Sequence, residues 1–153
     1  MRIGDRLPAF QLENQYGERV LSDDLSLGRT LLVFYPWAFS RVCGSELAQL
    51  QENLSLFQDR DVRLLAISVD HKFALRSYAE QTGIEFELLA DFWPHGGLAS
   101  SVDAFDAERG VARRVSLLNE GGVVVDRFES ALTEPRTLQR YVQALGRLGV
   151  EES

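Results

Sequence analysis

Cys43 is the residue of this sequence with the strongest potential for chemistry, and it is the only cysteine among 153 residues. A thiolate is a strong nucleophile and an oxidisable group. A lone cysteine excludes an intramolecular disulfide, a CxxC redox pair and a multi-cysteine zinc or iron–sulfur site within the chain. Cys43 is therefore either an inert small apolar residue or a reactive thiol, and its surroundings must decide between the two.

The two histidines, His71 and His95, raise a metal-site or Cys–His hydrolase interpretation for Cys43. They lack the close ligand spacing of a zinc motif, and neither has a motif that links it to the cysteine. We expect His71 to cap a helix and His95 to lie in a loop. The glycine pairs Gly96-Gly97 and Gly121-Gly122 form neither a G-x-G-x-x-G pattern nor a P-loop. We predict no metal and no bound cofactor.

The elements around Cys43 give it a special position. Thr30–Tyr35 is an apolar, β-branched run that Pro36 stops, which predicts a buried strand. The apolar residues after it recur at helical spacing and predict one amphipathic helix over Cys43–Gln58. These residues are Leu47, Leu50, Leu54 and Phe57. Cys43 would then open a helix directly after a strand, where unpaired N–H groups and a partial positive charge favour a thiolate.

The rest of the chain predicts an α/β fold with an N-terminal β-hairpin. Strand–helix–strand units give parallel strand pairs and a later hairpin adds an antiparallel pair, so we expect a mixed central sheet with helices on both faces. The predicted elements are a hairpin of Phe10–Asn14 and Glu18–Leu21, a capped turn at Ser22–Leu25, a strand at Val62–Val69, a helix capped by Asp70 or His71 that runs through Gln81 and ends at Gly83, a strand at Glu87–Ala90, a mixed stretch at Asp91–Gly110, and a hairpin of Arg114–Asn119 and Val123–Glu129.

A last helix is predicted near the end of the chain. Thr133 would cap it and Pro135 would lie in its first turn. Gly149 would end it. Its buried stripe is expected to be Leu138, Tyr141, Val142, Leu145 and Leu148.

Composition limits the classes of protein to which the chain can belong. Its length is typical of one domain, so we expect residues 1–153 to form a single domain. A net charge of −7 argues against a nucleic-acid partner and against an anionic membrane surface. No signal-peptide pattern opens the sequence, and apolar runs such as Thr30–Phe34 are far below the ~20 residues of a membrane span. We expect a cytoplasmic protein, where a free thiol stays reduced.

The spacing of Pro36, Ser40 and Cys43 reads P-x-x-x-S-x-x-C. It resembles the active-site signature of the peroxiredoxins, P-x-x-x-T/S-x-x-C, which occurs in a thioredoxin-like fold. Glu46 extends the match as C-x-x-E, and Gly110–Arg114 resembles the segment that supplies the family's active-site arginine. On this match the arginine is Arg114.

Further segments carry the resemblance over nearly the whole chain. Gly4–Phe10 is similar to the family's G-x-x-x-P-x-F opening. Asp91–Gly96 and the run FYPWAFSRVC are most similar to AhpE-type one-cysteine thiol peroxidases. The sequence departs from the family at Ser40, where threonine is commoner, and at Leu117 and Asn119, where the family usually has Phe and Asp.

The resemblance implies a thiol-dependent peroxidase. Cys43 would attack one oxygen of a peroxide and become a sulfenic acid. Arg114 would favour the thiolate and hydrogen-bond the peroxide, and Ser40 would donate to the sulfur or to a peroxide oxygen. Pro36 would wall the site against water, and Glu46 would orient Arg114.

Strand alternation lets only one of Arg113 and Arg114 face this site, and the resemblance alone selects Arg114. With no second cysteine in the chain, the sulfenic acid would need an external thiol reductant, either a low-molecular-weight thiol or a mycoredoxin- or thioredoxin-like protein. The substrate could be hydrogen peroxide, an organic hydroperoxide or peroxynitrite.

Aromatic residues near these motifs could form an interface, and we predict a homodimer if Trp37, Phe39 and Trp93 lie together at the surface. Two other functions stay open at this point. Oxidised Cys43 could relay a peroxide signal to a partner, or the chain could be a non-enzymatic thioredoxin-like interaction module.

Overall fold

A computed structural model describes residues 1–148 of the chain, and for Val42 and Cys43 the description covers the backbone only. The strands in this range are β1 (Gln11–Asn14), β2 (Arg19–Leu21), β3 (Arg29–Phe34), β4 (Val62–Ser68), β5 (Glu87–Ala90), β6 (Phe105–Asp106), β7 (Val111–Ala112), β8 (Arg114–Glu120) and β9 (Val123–Ser130). The helices are α1 (Arg41–Glu52), α2 (Leu54–Gln58), α3 (Lys72–Thr82), α4 (Gly97–Ser101) and α5 (Leu138–Leu145). A 3₁₀ turn covers Ser22–Leu25.

The described strands form a mixed sheet in the order β2-β1-β5-β4-β3-β8-β9, and β6 and β7 form a separate short ribbon. β3, β4 and β5 are parallel, whereas β1, β2, β8 and β9 pair antiparallel to their neighbours. This arrangement confirms the predicted mixed sheet, the N-terminal hairpin and the late hairpin. It also places the carboxyl ends of three parallel strands at one edge, where open α/β sheets carry their sites.

Alternating side chains of β3 bury against different layers on the two faces of the sheet. One face packs against α1, α2, α3 and α5, with Leu31 and Val33 in the same cluster as Leu47 and Tyr141. The other face packs against α4, the 3₁₀ turn and the short ribbon; its cluster includes Leu32, Phe34, Leu98 and Ala112. Helices therefore lie on both faces, as the sequence predicts.

The single helix predicted over Cys43–Gln58 is wrong in its start and in its continuity. The structure has α1 from Arg41 and a separate α2. The break lies at Asn53, whose φ of −113° and ψ of 24° leave the helical region. The Asn53 side chain donates to the carbonyl of Gln49 at 2.8 Å, beside the Asn53 N–H at 3.2 Å, and such local side-chain bonds compete with helix continuation.

The predicted start of the last helix is also wrong. Thr137, not Thr133, is the N-cap of α5, and its hydroxyl accepts from the Arg140 N–H at 3.2 Å. The residues before it stay outside the helix because Arg136 there binds a buried carboxylate.

Of the predicted stripe, Tyr141 and Leu145 are buried in α5 and Leu148 is buried just after its end, whereas Leu138 is half-buried. The prediction is wrong for Val142, which is 43 % exposed, and Ala144 is buried instead. The predicted end at Gly149 is wrong, because α5 ends at Leu145 with Gly146 as its C-cap; Gly149 itself lies outside the described residues. Within residues 1–148, no helix is long and apolar enough to cross a membrane.

Candidate active site

The candidate site begins where β3 passes into α1 at the carboxyl edge of the sheet. The Tyr35 N–H donates to the Ile67 carbonyl at 3.0 Å, so pairing with β4 continues one residue beyond β3. The Ser40 carbonyl accepts from the Gly44 N–H at 2.8 Å and closes the first turn of α1. The backbone of Cys43 therefore lies in the first turn of a twelve-residue helix, which follows a buried strand across one short loop.

The connecting loop carries two of the residues that the sequence predicts for the site. Pro36 is buried and Ser40 is half-buried. Between them Phe39 adopts a φ of +65°, a left-handed conformation that is uncommon for a residue other than glycine. Trp37 and Phe39 point outward and are 45 % and 56 % exposed, whereas Ala38 between them is buried. The loop thus presents two aromatic rings to solvent beside the start of α1.

The structure separates the two adjacent arginines. Ser116 of β8 pairs with Val33, so the start of β8 lies beside the carboxyl end of β3. Arg114 is 1 % exposed there; its Nε donates to the Leu132 carbonyl at 2.9 Å, and its Nη1 lies 3.5 Å from Glu46 Oε1. Arg113 instead reaches the surface. It pairs with Glu129 at 2.9 Å and lies 3.7 Å from Asp103.

Glu46 is the shared acceptor of this buried region. It is 2 % exposed, so it is not a solvated carboxylate of the first turn. Its Oε1 accepts from the Arg136 N–H at 2.8 Å. Its Oε2 accepts from Arg136 Nε at 2.9 Å and from the Tyr141 hydroxyl at 2.8 Å. The carboxylate therefore joins α1 to β8, to α5 and to the segment before α5.

Three members of this cluster do not follow from the sequence reasoning: Arg136, Tyr141 and Ser116. Arg136 Nη1 donates to Ser116 Oγ at 2.9 Å, and the same oxygen lies 3.3 Å from the Tyr141 hydroxyl. Of the three, only Tyr141 could have been predicted from the sequence to have a polar partner, because a buried tyrosine in an apolar stripe needs a partner for its hydroxyl. The sequence does not predict that Arg136 is buried, since it follows a proline outside any periodic pattern.

The electrostatics of the cluster favour a nearby anion. Arg114, Glu46 and Arg136 are each at most 3 % exposed, and together they carry one net positive charge. In a buried region the local dielectric is low, so this positive charge attracts a nearby anion more strongly than it would in water. Burial raises the pKa of Tyr141 well above its ordinary value, with Glu46 adding to the effect, so the hydroxyl stays a donor to the carboxylate.

The other candidate residues lie away from this cluster. His71 caps α3 by accepting from the Phe73 N–H at 3.2 Å, and His95 lies in the loop after β5 with Nε2 at 2.6 Å from the Gly110 carbonyl. Leu117 packs on the opposite face of the sheet, and Asn119 donates to the Leu117 carbonyl toward the far end of β8. Among the side chains that the structure describes, no group of three or more His, Cys, Asp or Glu could hold a metal ion.

Similar proteins have been characterised. Residues 3–127 match the model of the AhpC/TSA family. Alkyl hydroperoxide reductase E of Mycobacterium tuberculosis is 38% identical over 128 residues, which cover 83% of this chain and 80% of that protein. Peroxiredoxin Bcp of Escherichia coli is 34% identical over 91 residues, which cover 60% of this chain and 58% of that protein.

Solved structures share the fold. AhpC of Enterococcus faecalis superimposes with a TM-score of 0.87 at 26% identity, over 94% of this chain and 90% of that one. A reduced 2-Cys peroxiredoxin of Plasmodium vivax gives 0.85 at 24% identity, over 95% and 81%. Because the family model and the mycobacterial relative each match most of the chain, the chain belongs to the AhpC/TSA family and is a peroxiredoxin with a thioredoxin-like fold.

Proposed function

We propose that Cys43 is the nucleophile with which this thiol-dependent peroxidase reduces peroxides. The observation that carries the proposal is the buried cluster of Arg114, Glu46 and Arg136, which lies one helical turn from the backbone of Cys43 because Glu46 follows it by three positions in α1. A net positive charge and the N-terminal turn of a helix both favour a thiolate. The one cysteine of the chain lies in this N-terminal turn, one turn before Glu46.

In the proposed reaction the Cys43 thiolate attacks one oxygen of the peroxide. A sulfur–oxygen bond forms as the O–O bond breaks, and the sulfur becomes a sulfenic acid. The leaving oxygen takes a proton from solvent to become water or an alcohol, or leaves in nitrite when the substrate is peroxynitrite. The Arg114 guanidinium and the Ser40 hydroxyl donate to the oxygens as charge grows on the leaving one. Pro36 is buried and contributes no N–H, so it walls the site without offering a competing donor.

Reduction of the sulfenic acid requires a thiol from outside the chain. Its one cysteine cannot form an internal disulfide. An external thiol condenses with the sulfenic acid to a mixed disulfide and water, and a second thiol then releases Cys43. We propose a low-molecular-weight thiol or a mycoredoxin- or thioredoxin-like protein as the reductant, acting in the cytoplasm, where such thiols are kept reduced.

Stopped-flow mixing with hydrogen peroxide tests the assignment, because Trp37 lies six residues before Cys43, in the loop that leads to it. We expect the wild type to change its tryptophan fluorescence in a phase that consumes one peroxide per chain. Cys43→Ser should lose this phase, and Ser45→Ala, a change at an exposed neighbour in α1, should retain it. Persistence of the phase in Cys43→Ser would refute the proposal.

Added thiol then separates an enzyme from a sensor. A peroxidase should consume many equivalents of peroxide once dithiothreitol is supplied, since the reductant returns the sulfenic acid to the thiol. Reaction of one equivalent followed by arrest, with dithiothreitol present, would contradict turnover. Repeating the assay with an organic hydroperoxide and with peroxynitrite ranks the substrates.

We also propose that the protein is a homodimer that forms through an aromatic surface at the carboxyl edge of the sheet. This aromatic surface consists of Trp37, Phe39, Phe73, Phe92 and Trp93, each between 45 % and 82 % exposed. His71 joins part of it, because its ring centroid lies 4.9 Å from Phe73 and 4.8 Å from Phe92. Exposed aromatic clusters of this kind are typical of protein interfaces. The residues of this surface lie in the segments that come after β3, β4 and β5, at the same end of the sheet as the proposed active site.

A further inference from the structure

We propose that Asp70 is a positioning residue for the peroxidase reaction, and this inference rests on the proposed function of Cys43. Asp70 follows β4, and its side chain holds the loop between β3 and α1 by a hydrogen bond to the backbone of Ala38. By fixing this loop it sets Ser40 against Arg114.

One carboxylate oxygen of Asp70 accepts two short hydrogen bonds. Its Oδ2 accepts the Ala38 N–H at 2.7 Å and the Ser68 hydroxyl at 2.7 Å. Ser68 is fully buried in β4, and its oxygen also accepts from the Asp70 N–H at 3.3 Å. Hydrogen bonds to an ionised acceptor are shorter and stronger than neutral ones. The carboxylate is thus oriented by the rigid strand and in turn orients the loop.

The loop needs such an anchor because its own backbone is unfavourable. Phe39 holds a φ of +65°, a conformation that persists only where the surroundings impose it. Pro36 offers no N–H, and the loop is anchored to β4 and the residues after it by the Tyr35 N–H on the Ile67 carbonyl and the Ala38 N–H on Asp70. On the other side, the Phe39 ring packs edge-on against Tyr78 of α3 at 5.0 Å.

Arg114 is held by different elements from those that hold the loop. Its guanidinium is fixed by the Leu132 carbonyl and by Glu46, whereas Ser40 follows the loop that Asp70 holds. Both must reach the same peroxide in the proposed mechanism. A displacement of about 1 Å between catalytic groups can cost on the order of 100-fold in rate. Loss of the Asp70 anchor should therefore slow peroxide reduction without removing the thiol.

Two reactions of the same thiol test this role. Peroxide reduction needs Ser40 and Arg114 in alignment, whereas alkylation by iodoacetamide, measured on its alkaline plateau, needs only an accessible thiolate. For Asp70→Ala we expect peroxide reduction to fall by roughly 10- to 100-fold. The alkylation plateau should stay within about twofold of the wild type, since the thiol itself is unchanged. Asp59→Ala, at an exposed site after α2 with a φ of −64°, is the matched control and should change neither rate.

Asp70→Asn separates the charge from the hydrogen bond, because its amide oxygen still accepts from Ala38. We expect it to recover most of the peroxide rate. If Asp70→Ala does not fold, Ser68→Ala replaces it, since this change removes the donor that orients Asp70, and a loss of several-fold in peroxide rate is expected.

Three results would overturn the inference. The first is a peroxide rate for Asp70→Ala, or for Ser68→Ala where that replaces it, within twofold of the wild type. The second is a parallel loss of peroxide reduction and alkylation, which would indicate general disruption. The third is a wild type that does not react with peroxide, or a Cys43→Ser variant that does. This third result refutes the proposed function itself. It needs only the wild type and Cys43→Ser, so it is distinguished from a failure of the Asp70 inference.

Discussion

At the scale of single residues, Glu46 organises the site more than its position in the chain indicates. Its carboxylate is buried and accepts hydrogen bonds from Arg136 and Tyr141 while it lies 3.5 Å from Arg114. Removing one partner of a buried ion pair costs about 3–5 kcal/mol, because the remaining charge is left uncompensated. Glu46 is therefore placed to orient Arg114, and a proton-transfer role is disfavoured because its lone pairs are occupied.

The two adjacent arginines allow a matched test at this scale. Arg114→Ala should lower the rate of peroxide reduction by roughly 100- to 1000-fold, because loss of one preorganised donor to a developing oxyanion has an effect of that size. Arg113→Ala removes a surface ion pair with Glu129 and should leave the rate within about twofold, because such pairs contribute little. Single-turnover stopped-flow measurements compare the two, and equal effects would contradict the assignment of Arg114.

Tyr141 provides a second test, of stability this time. Tyr141→Phe deletes the hydroxyl that donates to Glu46 Oε2 at 2.8 Å, in a side chain that is 1 % exposed. We expect the free energy of unfolding to fall by about 1–3 kcal/mol, since a buried carboxylate oxygen loses a donor. Urea denaturation followed by circular dichroism measures the change.

Tyr16→Phe is the control for this change, because Tyr16 is 59 % exposed and its hydroxyl is hydrated in either state. Its free energy of unfolding should stay within about 0.5 kcal/mol of the wild type. A Tyr141→Phe protein as stable as Tyr16→Phe would show that the hydroxyl contributes nothing to the cluster.

At the scale of elements, the sequence predicts the sheet better than the site. Strands such as Thr30–Tyr35 stand out because parallel strands buried on both faces read as continuous apolar runs. The Arg136–Glu46 pair does not stand out, because its members lie 90 residues apart and neither belongs to a periodic pattern. Arg114 stands out only through its resemblance to a family motif, and its burial depends on the register of β8 with β3, which spacing alone does not set.

The start of α5 shows why local signals can mislead. Thr133 and Thr137 are both able to cap a helix, and Pro135 between them is typical of a first turn. The buried contacts of Arg136 with Glu46 decide in favour of Thr137, because they need a backbone N–H that points at the carboxylate from outside the helix. Tertiary structure thus overrides an equally plausible cap.

This choice predicts a difference between two threonines. Thr137→Ala should lower the free energy of unfolding by about 0.5–2 kcal/mol, because the Arg140 N–H loses its bond to the hydroxyl and keeps only the one to the Thr137 carbonyl at 3.0 Å. Thr133→Ala should change it by less than about 0.5 kcal/mol, because Thr133 is exposed and caps no helix. Urea denaturation of both variants gives the comparison, and a larger loss for Thr133→Ala would mean that the helix begins where the sequence alone places it.

At the scale of the whole molecule, exposed apolar side chains are distributed unevenly between the two ends of the sheet. The five rings of the aromatic surface belong to segments that follow the carboxyl ends of β3, β4 and β5. At the opposite end, Leu27 lies just before β3 and is 98 % exposed, and the residues next to it in sequence are not aromatic. Single exposed leucines are ordinary, whereas a cluster of rings indicates an interface.

This contrast predicts the effect of two charge substitutions on assembly. Trp93→Asp places a carboxylate in the aromatic surface, so burying it between two copies would carry a desolvation cost and the proposed dimer should dissociate. Leu27→Asp adds the same charge at the other end and should leave assembly unchanged. Light scattering coupled to size-exclusion chromatography, with wild type and both variants at equal concentration, measures the mass. A monomeric wild type would show that there is no such interface. A Trp93→Asp protein that stays dimeric while Leu27→Asp dissociates would place the interface at the other end of the sheet.

Since the aromatic surface includes Trp37 and Phe39 of the loop that Asp70 anchors, dissociation should also lower the rate of peroxide reduction. This coupling would appear as a dependence of that rate on protein concentration.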